Sequence, residues 1–173
     1  EAKLVKKKLK LFQISSNILT IKKEKISTNI QSFARENRYK LIIKQSLIKK
    51  IDMILTAHHS NDLIENFFIR LLRGSGLKGL ISFSKIKSKV THDDKIFILR
   101  PLLDTSKKDL IYLSKNTFNF NVNDPSNLDD KFLRVKVRQL ISNLEKDGLT
   151  FNKFKLSLNN LSKSNNAIDY YVQ

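Results

Sequence analysis

Met53-Ile54-Leu55-Thr56-Ala57-His58-His59-Ser60-Asn61-Asp62-Leu63-Ile64-Glu65 is the stretch on which the reading of this chain turns. Residues 53 to 57 run on without polar alternation, as in a strand buried on both faces of a parallel sheet. From about Asp62 the apolar positions take helical spacing as far as Leu72, and Gly74 stops them. A strand, a polar turn and a helix in that order make half of a βα unit.

Upstream, Thr28 and Gln31 have capping-box spacing, and Ile30, Phe33, Ala34, Leu41 and Ile48 carry a helix to about residue 49. Val5, Leu9 and Phe12 give residues 1–12 one apolar helical stripe, and residues 18–21 read as a short strand. Downstream, the apolar run Ile96 to Leu99 closes at Arg100-Pro101, and Thr105 or Ser106 caps a helix to about Asn116. Asn123-Asp124-Pro125-Ser126-Asn127 is dense turn chemistry. Leu133, Val137, Leu140, Ile141 and Leu144 define a helix ending at Gly148, and Phe151, Phe154, Leu158 and Leu161 define another. Short strands alternating with helices predict an α/β fold with a helical tail after about residue 124.

Composition narrows the function classes. The 173 residues contain no Cys, which removes disulfide scaffolds, thiol catalysis, Cys-ligated zinc and iron–sulfur clusters, and three His make a zinc site improbable. No apolar run is long enough to span a bilayer, so a cytoplasmic protein without membrane contact is expected. Thirty-three basic residues against 16 acidic ones give a net charge of +17, and 14 of the basic residues fall within the first 50. Such a field attracts polyanions, although a solvated Lys-rich surface would give the same composition.

Rare residues carry more information here than common ones. Only seven of the 33 basic residues are Arg (35, 38, 70, 73, 100, 134 and 138), which suggests positions where a planar fork is needed and a point charge will not serve. Three of the four glycines, Gly74, Gly76 and Gly79, lie within six residues. The run Gly74-Ser75-Gly76-Leu77-Lys78-Gly79 spells G-x-G-x-x-G, yet it follows a helix instead of a strand and so is not a dinucleotide fingerprint. Flanked by Arg70, Arg73 and Lys78, it suits a phosphate or RNA backbone, or else is a helix stop with a basic rim.

Ligands of open α/β sheets sit at the carboxyl ends of strands, where a helix N-terminus offers unpaired N–H groups. His58, His59, Asp62 and Glu65 occupy such an edge, with side chains suited to Mg²⁺, to proton handling or to holding an amine. The competing reading makes Asp62 a helix cap and the histidines ordinary loop. Arg134 and Arg138, one helical turn apart, suit phosphate clamping or a surface pair with Asp129 and Asp130.

In order, Ala34-Arg35-x-x-Arg38-Tyr39, Thr56-Ala57-His58-His59-x-x-Asp62-x-x-Glu65, Arg70-Leu71-Leu72-Arg73-Gly74-Ser75-Gly76-Leu77-x-Gly79-Leu80, Arg100-Pro101-Leu102-Leu103 and Asp124-Pro125-Ser126-Asn127 with Arg134 and Arg138 resemble the tRNA(Ile)-lysidine synthases, of the PP-loop ATP-pyrophosphatase family. All seven Arg fall inside these blocks. The resemblance implies an incomplete parallel-sheet PP-loop domain (adenine nucleotide alpha hydrolase-like) over residues 1–147, followed by a helical extension over 148–173. It also implies a ligase that joins free lysine to C2 of the wobble cytidine of tRNA(Ile) with a CAU anticodon, using ATP and Mg²⁺ through an adenylated tRNA.

On that resemblance, His58, Asp62 and Glu65 are the catalytic candidates, with Asp62 the metal ligand. Ala57, His58 and Arg138 would meet the nucleotide, and Arg73, Lys78, Arg134 and Arg138 the RNA. Two departures stand out. The family's Ser-Gly-Gly-x-Asp-Ser ATP loop does not occur, so the chain, which opens on Glu1, is expected to be an inactive piece of a longer enzyme. Asn61 stands where the family usually carries a second carboxylate. The alternatives are another PP-loop tRNA modifier or a non-catalytic basic RNA-binding module.

Overall fold

The structure is a computed structural model that describes residues 1–21, 30–91, 94–120 and 133–172. Among them, three strands form one sheet. β1 (Met53–Leu55) and β3 (Asp94–Leu99) are parallel: the Phe97 N–H donates to the Asp52 carbonyl at 2.7 Å and the Thr56 N–H to the Leu99 carbonyl at 2.9 Å. β2 (Ile86–Thr91) lies on the far side of β3, in the order β1-β3-β2. Two residues join β2 to β3, too few for a crossover, so this pair is antiparallel. The expected α/β architecture is present, with a hairpin strand that the Lys-rich segment Ile86-Lys87-Ser88-Lys89-Val90-Thr91 had concealed.

By its contacts the chain divides into two compact units, residues 1–54 with 88–98 and residues 55–87 with 99–173. In the first, α1 (Ala2–Leu11) buries no residue. α2 (Ile30–Ile48) sets Ile43 into a small core with Ile54, Ile96 and Ile98, flanked by Tyr39 and Ile42. The expected strand at residues 18–21 does not form. A strand needs a ladder partner, and this segment stays outside the sheet; Leu19 and Ile21 instead line a cavity of about 350 Å³ with Ala34, Leu41 and Ile42 of α2. The spacing of Thr28 and Gln31 falls partly outside the described residues, as does the turn at 123–127.

β1 also corrects the expectation of burial on both faces. Ile54 is 7% exposed, whereas Met53 and Leu55 are 50% and 65% exposed. An apolar run shows that a face can be covered; among the described residues only the Ile54 side is.

The second unit contains α3 (Ser60–Leu72), the short α4 (Leu77–Ile81), α5 (Lys107–Phe118), α6 (Leu133–Lys146) and α7 (Phe151–Val172). α6 packs on α3 and α7 on α4. Their apolar stripes meet in one core of Leu63, Ile64, Phe83, Leu103, Val137, Ile141 and Phe154. Helix ends follow the sequence signals: the Ser106 hydroxyl accepts the Asp109 N–H at 3.1 Å, and Gly74 and Gly148 take φ of +71° and +97° just past α3 and α6. α4, hidden in the glycine-rich stretch, was not foreseen. No described helix is long and apolar enough to cross a membrane.

Candidate functional site

Beyond Leu55 and Leu99 the chain passes into the N-termini of α3 and α5, and the two starts are tied together. The Ser60 N–H donates to the Thr105 carbonyl at 3.0 Å, and the Lys107 N–H donates to Asn61 Oδ1 at 3.1 Å. Asn61 thus caps α5 from the position where the resemblance leads one to expect a carboxylate. Two helix N-termini side by side concentrate partial positive charge at one edge.

Three polar pairs are held at this edge. Thr56 Oγ1 donates to the Leu99 carbonyl at 3.2 Å and lies 2.9 Å from His58 Nδ1, while the His58 ring meets Phe83 edge-on at 5.3 Å. Phe83 is backed by Arg100, whose guanidinium sits 4.6 Å from the ring centroid and donates to the Ser84 carbonyl at 2.8 Å. Arg100 is 4% exposed, so its cation is stabilised by the ring face and by carbonyl oxygen in place of water.

Asp62 Oδ2 accepts the His59 N–H at 3.0 Å and lies 3.5 Å from His59 Nε2, which makes the aspartate part of the N-terminal cap of α3. One turn on, Glu65 is buried and accepts from Arg138 of α6, Nε to Oε1 at 2.7 Å and a second nitrogen to Oε2 at 3.4 Å. The fork at Arg138 meets the Glu65 carboxylate across 73 residues of sequence; Asp129 and Asp130 lie outside the described residues. Glu65 has a sequence clue, a lone acid between Ile64 and the apolar run Phe67-Phe68-Ile69, but nothing local names its partner.

The remaining sequence candidates scatter. Ala57, Arg73 and Arg134 are exposed. Lys78 pairs with Asp169 of α7 at 2.6 Å, which holds that carboxyl below its ordinary range, and Asn165 donates to the same aspartate at 2.7 Å. Arg70 links Asn66 at 2.7 Å to the Gly79 carbonyl at 3.0 Å, so it braces the glycine-rich loop from inside. A Cβ on Gly79 would stand 2.9 Å from Ser75 Cβ, which accounts for that glycine by close packing. Asp104, next to the site on the β3 side, is ion-paired to Lys155 at 2.7 Å and to Lys85. The Lys155 hydrogen bond and then that of Lys85 lower its pKa.

The donor set fits a metal only weakly. Among the described residues no three His, Asp or Glu side chains gather to hold an ion. Asp62 offers one carboxylate, with Oδ2 already in the cap, so a Mg²⁺ there would draw most of its octahedron from water and phosphate oxygens.

The PP-loop domain model matches residues 1–145. The chain is 41% identical over 120 residues to a tRNA(Ile)-lysidine synthase of Orientia tsutsugamushi (strain Boryong), covering 69% of this chain and 26% of that protein. It is 31% identical over 169 residues to one of Bradyrhizobium diazoefficiens, covering 98% of this chain and 46% of that one, and 35% identical over 149 residues to one of Rhodopseudomonas palustris, covering 86% and 42%. The chain thus spans between about a quarter and a half of the length of these curated relatives. The matched residues include all three strands and the whole of α3, and on that match the chain belongs to the PP-loop domain family.

Proposed function

We propose that this chain is the PP-loop part of a cytoplasmic tRNA(Ile)-lysidine synthase, an ATP-dependent ligase that joins free lysine to C2 of the wobble cytidine of tRNA(Ile) bearing a CAU anticodon. The observation that carries the reading is the similarity to synthases of that name, one of them across 98% of the chain, which includes the His58, Asp62 and Glu65 edge. In this reading ATP adenylates the cytidine O2 and releases pyrophosphate. The lysine amine then attacks C2, and AMP leaves with the oxygen.

The chain's own residues would divide the work. His58 takes a proton and, with Ala57, borders the nucleotide. Asp62 holds the lysine ammonium or serves as a single Mg²⁺ ligand. Glu65 acts through Arg138, which keeps α6 against α3 and borders the nucleotide or an RNA phosphate. Arg73, Arg134 and Lys78 meet RNA phosphates, Lys78 by exchanging Asp169 for phosphate. Such contacts set register without reading sequence, so the choice of anticodon falls to other groups. Residues 1–147 would form the synthase domain and 148–173 begin a following helical part.

Labelled lysine, ATP and tRNA(Ile) separate this reading from a non-catalytic RNA-binding module, which the charge of +17 would also suit. The assay uses the 173-residue chain and the same chain preceded by a relative's Ser-Gly-Gly-x-Asp-Ser segment. ATP-dependent transfer of lysine to the wobble cytidine by the extended form is expected. Tight tRNA binding with no transfer in either form would favour the binding module.

A further inference from the structure

The Thr56 hydroxyl has one proton and, among the described residues, two hydrogen-bond contacts: the Leu99 carbonyl at 3.2 Å and His58 Nδ1 at 2.9 Å. The Leu99 carbonyl has no proton to give, so the hydroxyl must donate there. Its lone pair then faces His58 Nδ1, and that contact is a hydrogen bond only if Nδ1 carries the imidazole proton. The reverse arrangement, with the hydroxyl donating to Nδ1, would leave two oxygen lone pairs facing each other at 3.2 Å. The same carbonyl also accepts the Thr56 backbone N–H at 2.9 Å, which anchors the hydroxyl's own residue. Ring rotation is restricted as well, because the imidazole stands edge-on to Phe83, itself 7% exposed and held against Arg100.

We propose that Thr56 is a positioning residue that fixes neutral His58 as the Nδ1–H tautomer, leaving Nε2 as its acceptor nitrogen. A histidine in water favours the other tautomer, so the assignment departs from the default. Its use rests on the function proposed above. Lysine enters as an ammonium and cannot attack C2 until an N–H bond breaks with its electron pair left on the amine. In this tautomer Nε2 is the nitrogen that takes that proton, and the resulting imidazolium keeps its Nδ1–H···Oγ1 bond.

The test reads the tautomer itself and needs neither ATP nor tRNA. In the full 173-residue chain with ¹⁵N-labelled histidine, long-range ¹H–¹⁵N correlation above the imidazole pKa gives each ring's tautomer, and His58 is assigned by loss of its signals in His58→Gln. The expected result is a protonated Nδ1 and an unprotonated Nε2 for His58. Thr56→Ser should preserve that pattern, and Thr56→Val, which keeps the shape and loses the hydroxyl, should shift it toward Nε2–H. A wild-type His58 protonated at Nε2 would overturn the proposal, and so would a folded Thr56→Val whose His58 signals are unchanged. If Thr56→Val fails to fold, the wild-type and Thr56→Ser spectra still decide. The predicted tautomer combined with absent lysine transfer by the form carrying the ATP loop would overturn the functional reading and leave this one standing.

Discussion

Three braced arginines of the second unit contrast with the exposed lysines of α1 in the first. In the second, Arg70 is bonded to Asn66 and the Gly79 carbonyl, Arg100 lies over Phe83 and Arg138 forks onto Glu65. In the first, Lys3, Lys6, Lys7 and Lys10 stand exposed on a helix that buries nothing. The contrast extends to packing: among the described residues, seven buried apolar side chains gather around α3, α6 and α7 and four around α2. A planar fork fixes two elements in register, whereas an ammonium on a flexible stem adds to a diffuse field. Among the described residues the arginine-braced packing therefore lies in the second unit, while the exposed lysines of α1 add a diffuse attraction for polyanions.

Core truncation should show this contrast most strongly. Phe154→Ala, which empties the centre of the Phe67, Phe68 and Phe154 ring cluster, should cost about 3–5 kcal/mol in urea unfolding. Leu11→Ala on α1, where the side chain is 70% exposed, should stay within about 0.5 kcal/mol. Comparable losses from both would erase the distinction between the units.

Breaking the fork comes next. Arg138→Leu leaves the Glu65 carboxylate buried without its ion-pair partner, a loss of about 3 kcal/mol. Adding Glu65→Leu should recover most of it, because the cost lies in the uncompensated charge. A double variant no more stable than Arg138→Leu would show that the pair does more than neutralise buried charge.

The smallest effect belongs to Asp104, whose carboxyl is 38% exposed between Lys155 and Lys85. Its pKa is lowered in the folded state, so its contribution is present above the unfolded carboxylate pKa of about 3.9 and is lost as pH falls through the folded value. Asp104→Asn should cost about 0.5 kcal/mol at neutral pH, less in high salt, and nothing measurable once the pH is below the folded-state value. An undiminished cost in acid would point to packing instead of charge.

These particulars also show what one sequence discloses. α3, α5, α6 and α7 were legible because apolar spacing, the Ser106 cap and the stops at Gly74 and Gly148 are local signals that the structure uses as written. Residues 18–21 misled because β propensity does not supply a ladder partner. Met53 to Leu55 misled in part because an apolar run cannot say how many of its faces are covered. At the site, the placing of His58, Asp62 and Glu65 along a strand-to-helix turn followed from spacing. The partners of Glu65 and Asn61 did not, since Arg138 and Lys107 arrive from 73 and 46 residues away. The Thr56 relay to Leu99 depends likewise on the pairing of two strands.

If the turn from β1 into α3 performs chemistry beyond capping a helix, Asp62→Asn should expose it. Asparagine retains an oxygen that can accept the His59 N–H, so the cap survives while the charge is lost. In the form of the chain that carries the ATP loop, labelled-lysine transfer at saturating tRNA should fall by about 100-fold or more, with tRNA affinity changed less than about twofold. Transfer close to the wild-type rate in Asp62→Asn would contradict the account and leave Asp62 a helix cap.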